Sequence, residues 1–136
     1  MRFIFLLSIC LIIFIIFYLS WLPDPHIGKV WFIPNFLRKW VDANENENLR
    51  TAIPFILLGI ISSIYLTILK AGLKLWITIF ITSLLIVIIA ETGQLFLPNR
   101  VFDLRDMGWG CVGTVLGMAV GAATGFLFNL AKKSIV

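Results

Sequence analysis

Four apolar stretches dominate this chain of 136 residues. They cover about residues 3–22, 51–69, 75–97 and 107–131, and each is long enough to cross the roughly 30 Å hydrocarbon core of a bilayer as an α-helix. With 60% hydrophobic and only 13% charged residues, the composition lies outside the range of soluble domains. The sequence therefore predicts an all-α membrane protein with four transmembrane helices in a single domain, residues 1–136.

The first apolar stretch has two interpretations, a cleaved signal peptide and a retained helix. Its apolar run from Phe3 to Leu19 exceeds the usual signal-peptide core of about 7 to 15 residues. The following segment, "YLSWLPDP", has no convincing small-residue cleavage site. We therefore expect a retained transmembrane helix.

The distribution of charge predicts the orientation. Five basic residues and no acid mark one side: Arg2, Lys70, Lys74, Lys132 and Lys133. The other side, residues 23–50 and 98–106, spreads six basic and six acidic residues over many more positions. Positive charge concentrates in short cytoplasmic loops, so both termini are expected in the cytoplasm. The net charge of +4 flanks apolar helices, which predicts a lipid bilayer and not a nucleic acid as the partner.

Cysteine and histidine give no metal-site pattern. Cys10 and Cys111 lie within predicted spans, and the lone His26 lies in a loop. A zinc site needs several such ligands at close spacing, so we expect neither a metal nor a cofactor.

The long loop after the first span contains a second helical pattern. In "PNFLRKWVD", residues 34–42, polar and apolar side chains fall on opposite helical faces, and Pro34 suits the first helical position. A short interfacial helix in the outer headgroup layer is predicted, with an irregular hydrophobic loop over the bundle as the alternative. Trp31 and Trp40 fall near the predicted outer boundary and are candidate packing or partner contacts.

Polar residues gather in "ETGQLFLPNRVFDLRDMGWG", residues 91–110. Glu91 and Gln94 share a helical face, and Glu91 is expected about 9 Å below the helix end near Leu97. A carboxylate at that depth is costly unless it is paired, hydrated or protonated. The candidates that follow are Arg100, Asp103, Arg105 and Asp106.

Two interpretations of this cluster stay open. In the structural one, Glu91 pairs with Arg100 or Arg105 to fix the hairpin, while Asp103 caps the last helix and Asp106 lies in its first turn. In the functional one, the acid, the amide and the guanidinium surround a pocket open to the outer face.

These residues resemble a known family. Glu91-x-x-Gln94, a short turn with Arg100, and Asp103-x-x-Asp106 followed by glycines look like the signature of the VanZ-like membrane proteins. Upstream, "NLRTAIPFILLG", from Asn48 to Gly59, is similar to the other recurring stretch of that family and adds Asn48 to the candidates. The resemblance implies a bacterial cytoplasmic membrane and a link to tolerance of the glycopeptide antibiotic teicoplanin. Where the family pattern has an Asn four residues after the second Asp, this chain has Gly110.

The last span carries a glycine at every fourth position: Gly113, Gly117, Gly121 and Gly125. This spacing lines one helix face with small residues, where two backbones can approach closely. We expect contact within the bundle, with the first or third transmembrane helix; the alternative is a docking face for another protein or a second copy. Gly110 could belong to the same surface, as an exchange of a polar side chain for close packing.

Three functions are compatible with these patterns. The first is a non-enzymatic VanZ-like protein whose polar cluster contacts an envelope or lipid-linked ligand. The second is an accessory or assembly subunit of a larger membrane complex, or a homo-oligomer, docked through the glycine-rich helix. The third is an enzyme acting on a lipid-linked substrate, but no Ser/His or Cys/His pattern is present, so a non-enzymatic role is favoured and no catalytic residue is assigned.

Overall fold

The computed structural model describes residues 2–134, apart from the side chains of residues 44, 47, 48 and 132–134. The expected topology signals Lys132 and Lys133 belong to that undescribed set. Within the described part the chain has five α-helices and no strand. The helices are α1 (Arg2–Ser20), α2 (Asn35–Asp42), α3 (Glu47–Ile68), α4 (Leu73–Gln94) and α5 (Leu104–Ser134).

Four of these helices, α1, α3, α4 and α5, are long and apolar enough to cross a membrane. This confirms the predicted all-α architecture and indicates a multi-pass membrane protein. The chain passes up and down, so that residues 21–48 and 95–103 lie at the same end of the bundle. We call this end the polar end.

The bounds of the helices that meet at the polar end differ from those expected. Helix α4 ends at Gln94 rather than near residue 97, because Pro98 disfavours a helical conformation at Leu97. Helix α5 begins at Leu104 rather than near residue 107, because Asp103 supplies its cap. Pro34 is the residue before α2 and not its first helical residue.

The most extensive helix contact joins α3 and α5, which both start at the polar end and therefore run parallel. The glycines of α5 lie against α3 with a nearly constant offset in sequence: Gly113 against Ala52, Gly117 against Ile56, Gly121 against Ile60, and Gly125 against Thr67. A Cβ added at Gly113 would lie only 2.5 Å from the carbonyl oxygen of Ala52. The backbones of α3 and α5 are thus in contact along this row of glycines, which we call the glycine stripe.

The partner of the glycine stripe is the second transmembrane helix, α3, and not the first or third as expected. Helix α3 carries small residues of its own on the facing side, including Ala52, Gly59 and Ser63. The buried hydroxyls at this interface bond within their own helices, Ser63 to the carbonyl of Gly59 at 2.7 Å and Thr114 to that of Gly110 at 2.9 Å. Small residues on both helices allow an approach that the bulky faces of α1 and α4 would prevent.

Gly110 is buried on the other side of this pair, against α4. A Cβ added there would lie 2.5 Å from Cγ2 of Val87 and 3.4 Å from Cδ2 of Phe55. A side chain the size of Asn therefore cannot occupy this position without displacing Val87. Close packing of α5 on α4 is the structural reason for glycine here.

Helices α1 and α4 complete the bundle around a small apolar core. Its buried members are Ile16 from α1, Phe55 and Leu58 from α3, and Ile86, Val87 and Ala90 from α4. About half of the other large apolar side chains of α1 face outward, for example Phe3, Leu7 and Phe14. This distribution is the one expected of helices surrounded by lipid tails.

Replacement of Gly117 by Ala tests the α3–α5 contact. The added methyl group would collide with the backbone of Ile56, so we expect the free energy of unfolding to fall by about 1 to 3 kcal/mol. Gly108→Ala is the matched control in the same helix, because a Cβ there has no neighbour within 4 Å. Unfolding in mixed micelles by titration with dodecyl sulfate measures both variants, and equal loss in the two would contradict the contact.

Candidate functional site

The loop between α1 and α3 folds back over the polar end as an ordered roof. The backbone N–H of Gly28 donates to Oδ1 of Asp42 at 2.9 Å, which fastens the 3₁₀ turn Ile27–Lys29 to the end of α2. Beneath this bond Ile27, Val30 and Val41 form a buried apolar cluster. The roof therefore has a small core of its own.

A second set of contacts orders the start of the roof. Asp24 accepts from the ammonium of Lys29 at 2.7 Å and from the backbone N–H of His26 at 2.9 Å, and its carboxylate lies 2.8 Å from Nδ1 of His26. The Lys29 contact, followed by those from His26, holds the pKa of Asp24 well below its usual value. This exposed network accounts for the lone histidine of the sequence.

Arg100 connects the α4–α5 turn to the end of α1. Its Nε donates to the carbonyl of Leu22 at 3.0 Å, and Nη2 donates to the carbonyl of Leu19 at 3.1 Å. The last carbonyls of a helix have no partner within the helix, so a guanidinium is well suited to cap them. Burial, and then the charge of Arg50, lowers the pKa of Arg100, but a guanidinium remains protonated in proteins.

Trp21 makes a second connection between α1 and α4. Its indole Nε1 donates to the carbonyl of Ala90 at 3.2 Å. The ring lies over Gly93, where any Cβ would collide with the indole. Gly93 thus makes room for Trp21 one residue before the last residue of α4.

Glu91 and Gln94 are buried side by side at the end of α4, with 2% and 7% of their surfaces exposed. Nε2 of Gln94 donates to Oε1 of Glu91 at 3.1 Å. The other oxygen, Oε2, is buried and has no hydrogen-bond partner among the described residues. Since α4 ends at Gln94, Glu91 lies about one turn below the helix end and is shallower than expected.

The proposed ion pair of Glu91 with Arg100 or Arg105 does not form within the described residues. Arg100 uses its guanidinium on the carbonyls of Leu19 in α1 and of Leu22 just after it, and it acts on Glu91 only through its charge. Arg105 lies on the exposed side of α5. The carbonyls at the end of α1 compete for the guanidinium, and sequence spacing within the hairpin does not reveal them.

The start of α5 brings two further acids close to Glu91. Oδ1 of Asp103 accepts from the backbone N–H of Arg105 at 2.8 Å and so caps the helix, and Asp106 lies in its first turn. The charges of both carboxylates act on Glu91. Three acids and the amide of Gln94 therefore share one small region.

A cavity of about 880 Å³ opens between α1, α3, the roof and the α4–α5 turn. We call it the polar pocket. Its polar lining includes Arg50, Glu91, Gln94, Arg100, Asp103 and Asp106. Its apolar wall includes Ile15, Leu19, Phe32, Ile53, Phe55 and Leu57. Ile53 and Leu57 are 42% and 48% exposed on the lipid-facing side of α3, so the pocket continues into a groove open to the membrane.

Five of the seven polar-cluster candidates meet at the polar pocket, namely Glu91, Gln94, Arg100, Asp103 and Asp106. Trp40 lines the pocket, whereas Trp31 is 85% exposed outside it and Arg105 is not part of the lining. The side chain of Asn48 lies outside the described residues. Sequence reasoning missed Arg50, although a charged residue at the start of a span, within the stretch "NLRTAIPFILLG", was a usable signal. In the described part of the chain, no group of three His, Cys, Asp or Glu side chains could hold a metal ion.

Comparison with protein-family models, with curated proteins and with solved structures found no match for this chain. The resemblance to VanZ-like proteins therefore rests on the residues of its two blocks. The geometry of the polar pocket is the remaining guide to function.

Arg100→Gln tests the connection between the α4–α5 turn and α1. Loss of two bonds from a charged donor should lower the free energy of unfolding by about 2 kcal/mol. Arg105→Gln removes the same charge from an exposed position and should change it by less than about 0.5 kcal/mol. Dodecyl sulfate titration compares the two, and an equal effect would show that charge alone, and not the carbonyl contacts, is responsible.

Proposed function

We propose that this chain is a VanZ-like protein of a bacterial cytoplasmic membrane, and that it binds an envelope or lipid-linked ligand in the polar pocket. In this proposal both termini lie in the cytoplasm and the polar end faces outward. Arg2, Lys70 and Lys74 support the orientation, because the end opposite the polar end carries these charges without an acid.

The main support for the proposal is that one cavity is lined by an apolar groove and by the buried carboxylate of Glu91, whose Oε2 has no hydrogen-bond partner among the described residues. A volume of about 880 Å³ falls within the usual range of small-molecule sites. Ionisable side chains within membrane spans are costly and mark functional sites by default. A ligand with an apolar part and a polar end would match both surfaces of the polar pocket.

The roof supports access from the outer leaflet. Helix α2 is amphipathic, and its Phe36 is 80% exposed. Trp31, which precedes the helix, is 85% exposed. Exposed aromatic residues of this kind favour the interface between lipid tails and water. We therefore propose that α2 lies in the outer headgroup layer, which sets the mouth of the polar pocket at headgroup depth.

The VanZ-like resemblance extends the proposal to a physiological role. Glu91, Gln94 and Arg100, which carry much of that resemblance, line the polar pocket together. Tolerance of teicoplanin would then act through the ligand held there, since the antibiotic meets the envelope at the same face.

An accessory subunit or a homo-oligomer is the second proposal, and the packing does not favour it. Its expected docking face was the glycine stripe of α5, which α3 covers within this chain. A partner would need a different surface, such as the outward apolar face of α5.

Occupying the groove with bulky side chains tests the binding function. The double variant Ile53→Trp and Leu57→Trp should lower the affinity for co-extracted lipid by about tenfold, because the indoles would fill the membrane opening of the polar pocket. Leu85→Trp is the control, with 52% exposure on α4 and no part in the lining. Native mass spectrometry of protein extracted in a mild detergent measures bound lipid, and equal lipid retention in both would refute a pocket ligand.

A further inference from the structure

We infer that the ligand of the polar pocket is a phospholipid whose headgroup carries a primary ammonium group. In this arrangement the ammonium meets Glu91, the phosphate lies toward Arg50 and Arg100, and an acyl chain follows the groove along α3. The inference rests on the proposed function and specifies the chemistry of its ligand.

The buried end of the pocket calls for a hydrogen-bond donor. Oε2 of Glu91 has no partner among the described residues, although the residue is only 2% exposed and lines the cavity. The backbone N–H of Asp103 acts on this carboxylate without forming a hydrogen bond of acceptable geometry. When Glu91 is ionised its Oε2 only accepts, so a partner for this oxygen must bring an N–H or O–H group.

The charges around Glu91 favour a cationic donor. Asp103 and Asp106 both act on Glu91 and both line the polar pocket, so a positive group bonded to Glu91 is also attracted by the charges of two further carboxylates. A neutral hydroxyl would satisfy the hydrogen bond but not the surplus of negative charge. A quaternary ammonium would satisfy the charge but has no N–H to donate.

The two arginines of the lining, Arg50 and Arg100, suit an anion. Arg50 and Arg100 lie close enough for their charges to act on each other, and both line the polar pocket. Arg100 has five N–H groups, of which its contacts with Leu19 and Leu22 use two. Guanidinium groups bind phosphate with strong, charge-assisted hydrogen bonds. The lining thus carries both acidic and basic side chains, as a zwitterionic headgroup requires.

The groove fixes where the acyl chain leaves. From Arg50 to Leu57 the lining runs along α3 for about 10 Å, from the level of the guanidiniums into the span. Ile53, Leu57 and Ile15 of α1 form its sides. A lipid could therefore place its headgroup in the pocket while its tail remains in the bilayer.

Lipid competition on the intact wild-type protein tests the inference. Native mass spectrometry would compare phosphatidylethanolamine with its N,N-dimethyl and N,N,N-trimethyl forms, and with phosphatidylglycerol, all with the same acyl chains. We expect affinity to fall as N–H groups are replaced by methyl groups, by about tenfold over the series, and phosphatidylglycerol to bind more weakly than phosphatidylethanolamine. Equal affinities across the series would overturn the inference.

Two variants assign the preference to Glu91. Glu91→Gln keeps the shape but removes the charge, so the ratio of phosphatidylethanolamine to trimethyl lipid bound should fall to about one. Glu45→Gln, an exposed change outside the polar pocket, should keep the wild-type ratio. An unchanged ratio in Glu91→Gln would contradict the assignment.

The groove variant separates the two proposals. If Ile53→Trp with Leu57→Trp reduces the binding of all lipids but the methylation series is flat, the pocket binds lipid and only the headgroup inference fails. If that variant changes nothing, the proposed function fails as well.

Discussion

The contact of backbone on backbone between α3 and α5 is the constraint on which the rest of the structure depends. Within a membrane the hydrophobic effect does not bring helices together, because lipid tails are as apolar as the side chains. Gly113, Gly117 and Gly121 permit an approach close enough for dispersion and weak Cα–H contacts to act along about two turns. This pair is the frame, and α4 and α1 are added to it through a smaller apolar core.

The looser association of α1 follows from its composition. It consists almost entirely of large apolar residues, and in its window of highest hydropathy only 6% of the positions are buried. At the polar end it is held by two contacts with other segments. Trp21 donates to the carbonyl of Ala90 in α4, and Arg100 donates to the carbonyls of Leu19 and Leu22. Between these attachments and α3 the helices separate enough to leave the polar pocket. The proposed binding site and the weakest helix packing thus coincide in the same part of the bundle.

Periodicity and apolar run length were sufficient to predict the four spans, the amphipathic α2 and the capping role of Asp103. They were insufficient wherever the answer depended on a distant segment. The predicted partner of the glycine stripe was wrong because small residues on one helix indicate a closely packed neighbour but do not identify which helix it is. The predicted ion pair between Glu91 and Arg100 was wrong because Arg100 donates to the carbonyls of Leu19 and Leu22, around the end of α1. The spacing of residues within 91–110 does not reveal these acceptors. Arg50 was missed because its place in the pocket lining depends on the loop that folds over α3, although its charge near the start of a span was a usable signal.

The use of Arg100 as a cap for α1 has a consequence for the order of biosynthesis. Leu22 and Leu19 precede Arg100 by 78 and 81 residues, so both are synthesised well before the guanidinium that holds their carbonyls. Until the α4–α5 turn has been synthesised and has reached the polar end, the end of α1 lacks these two bonds. The contacts of the α4–α5 turn with the end of α1 are therefore completed late in membrane insertion, and a truncated chain that ends before residue 100 would lack both Arg100 and α5.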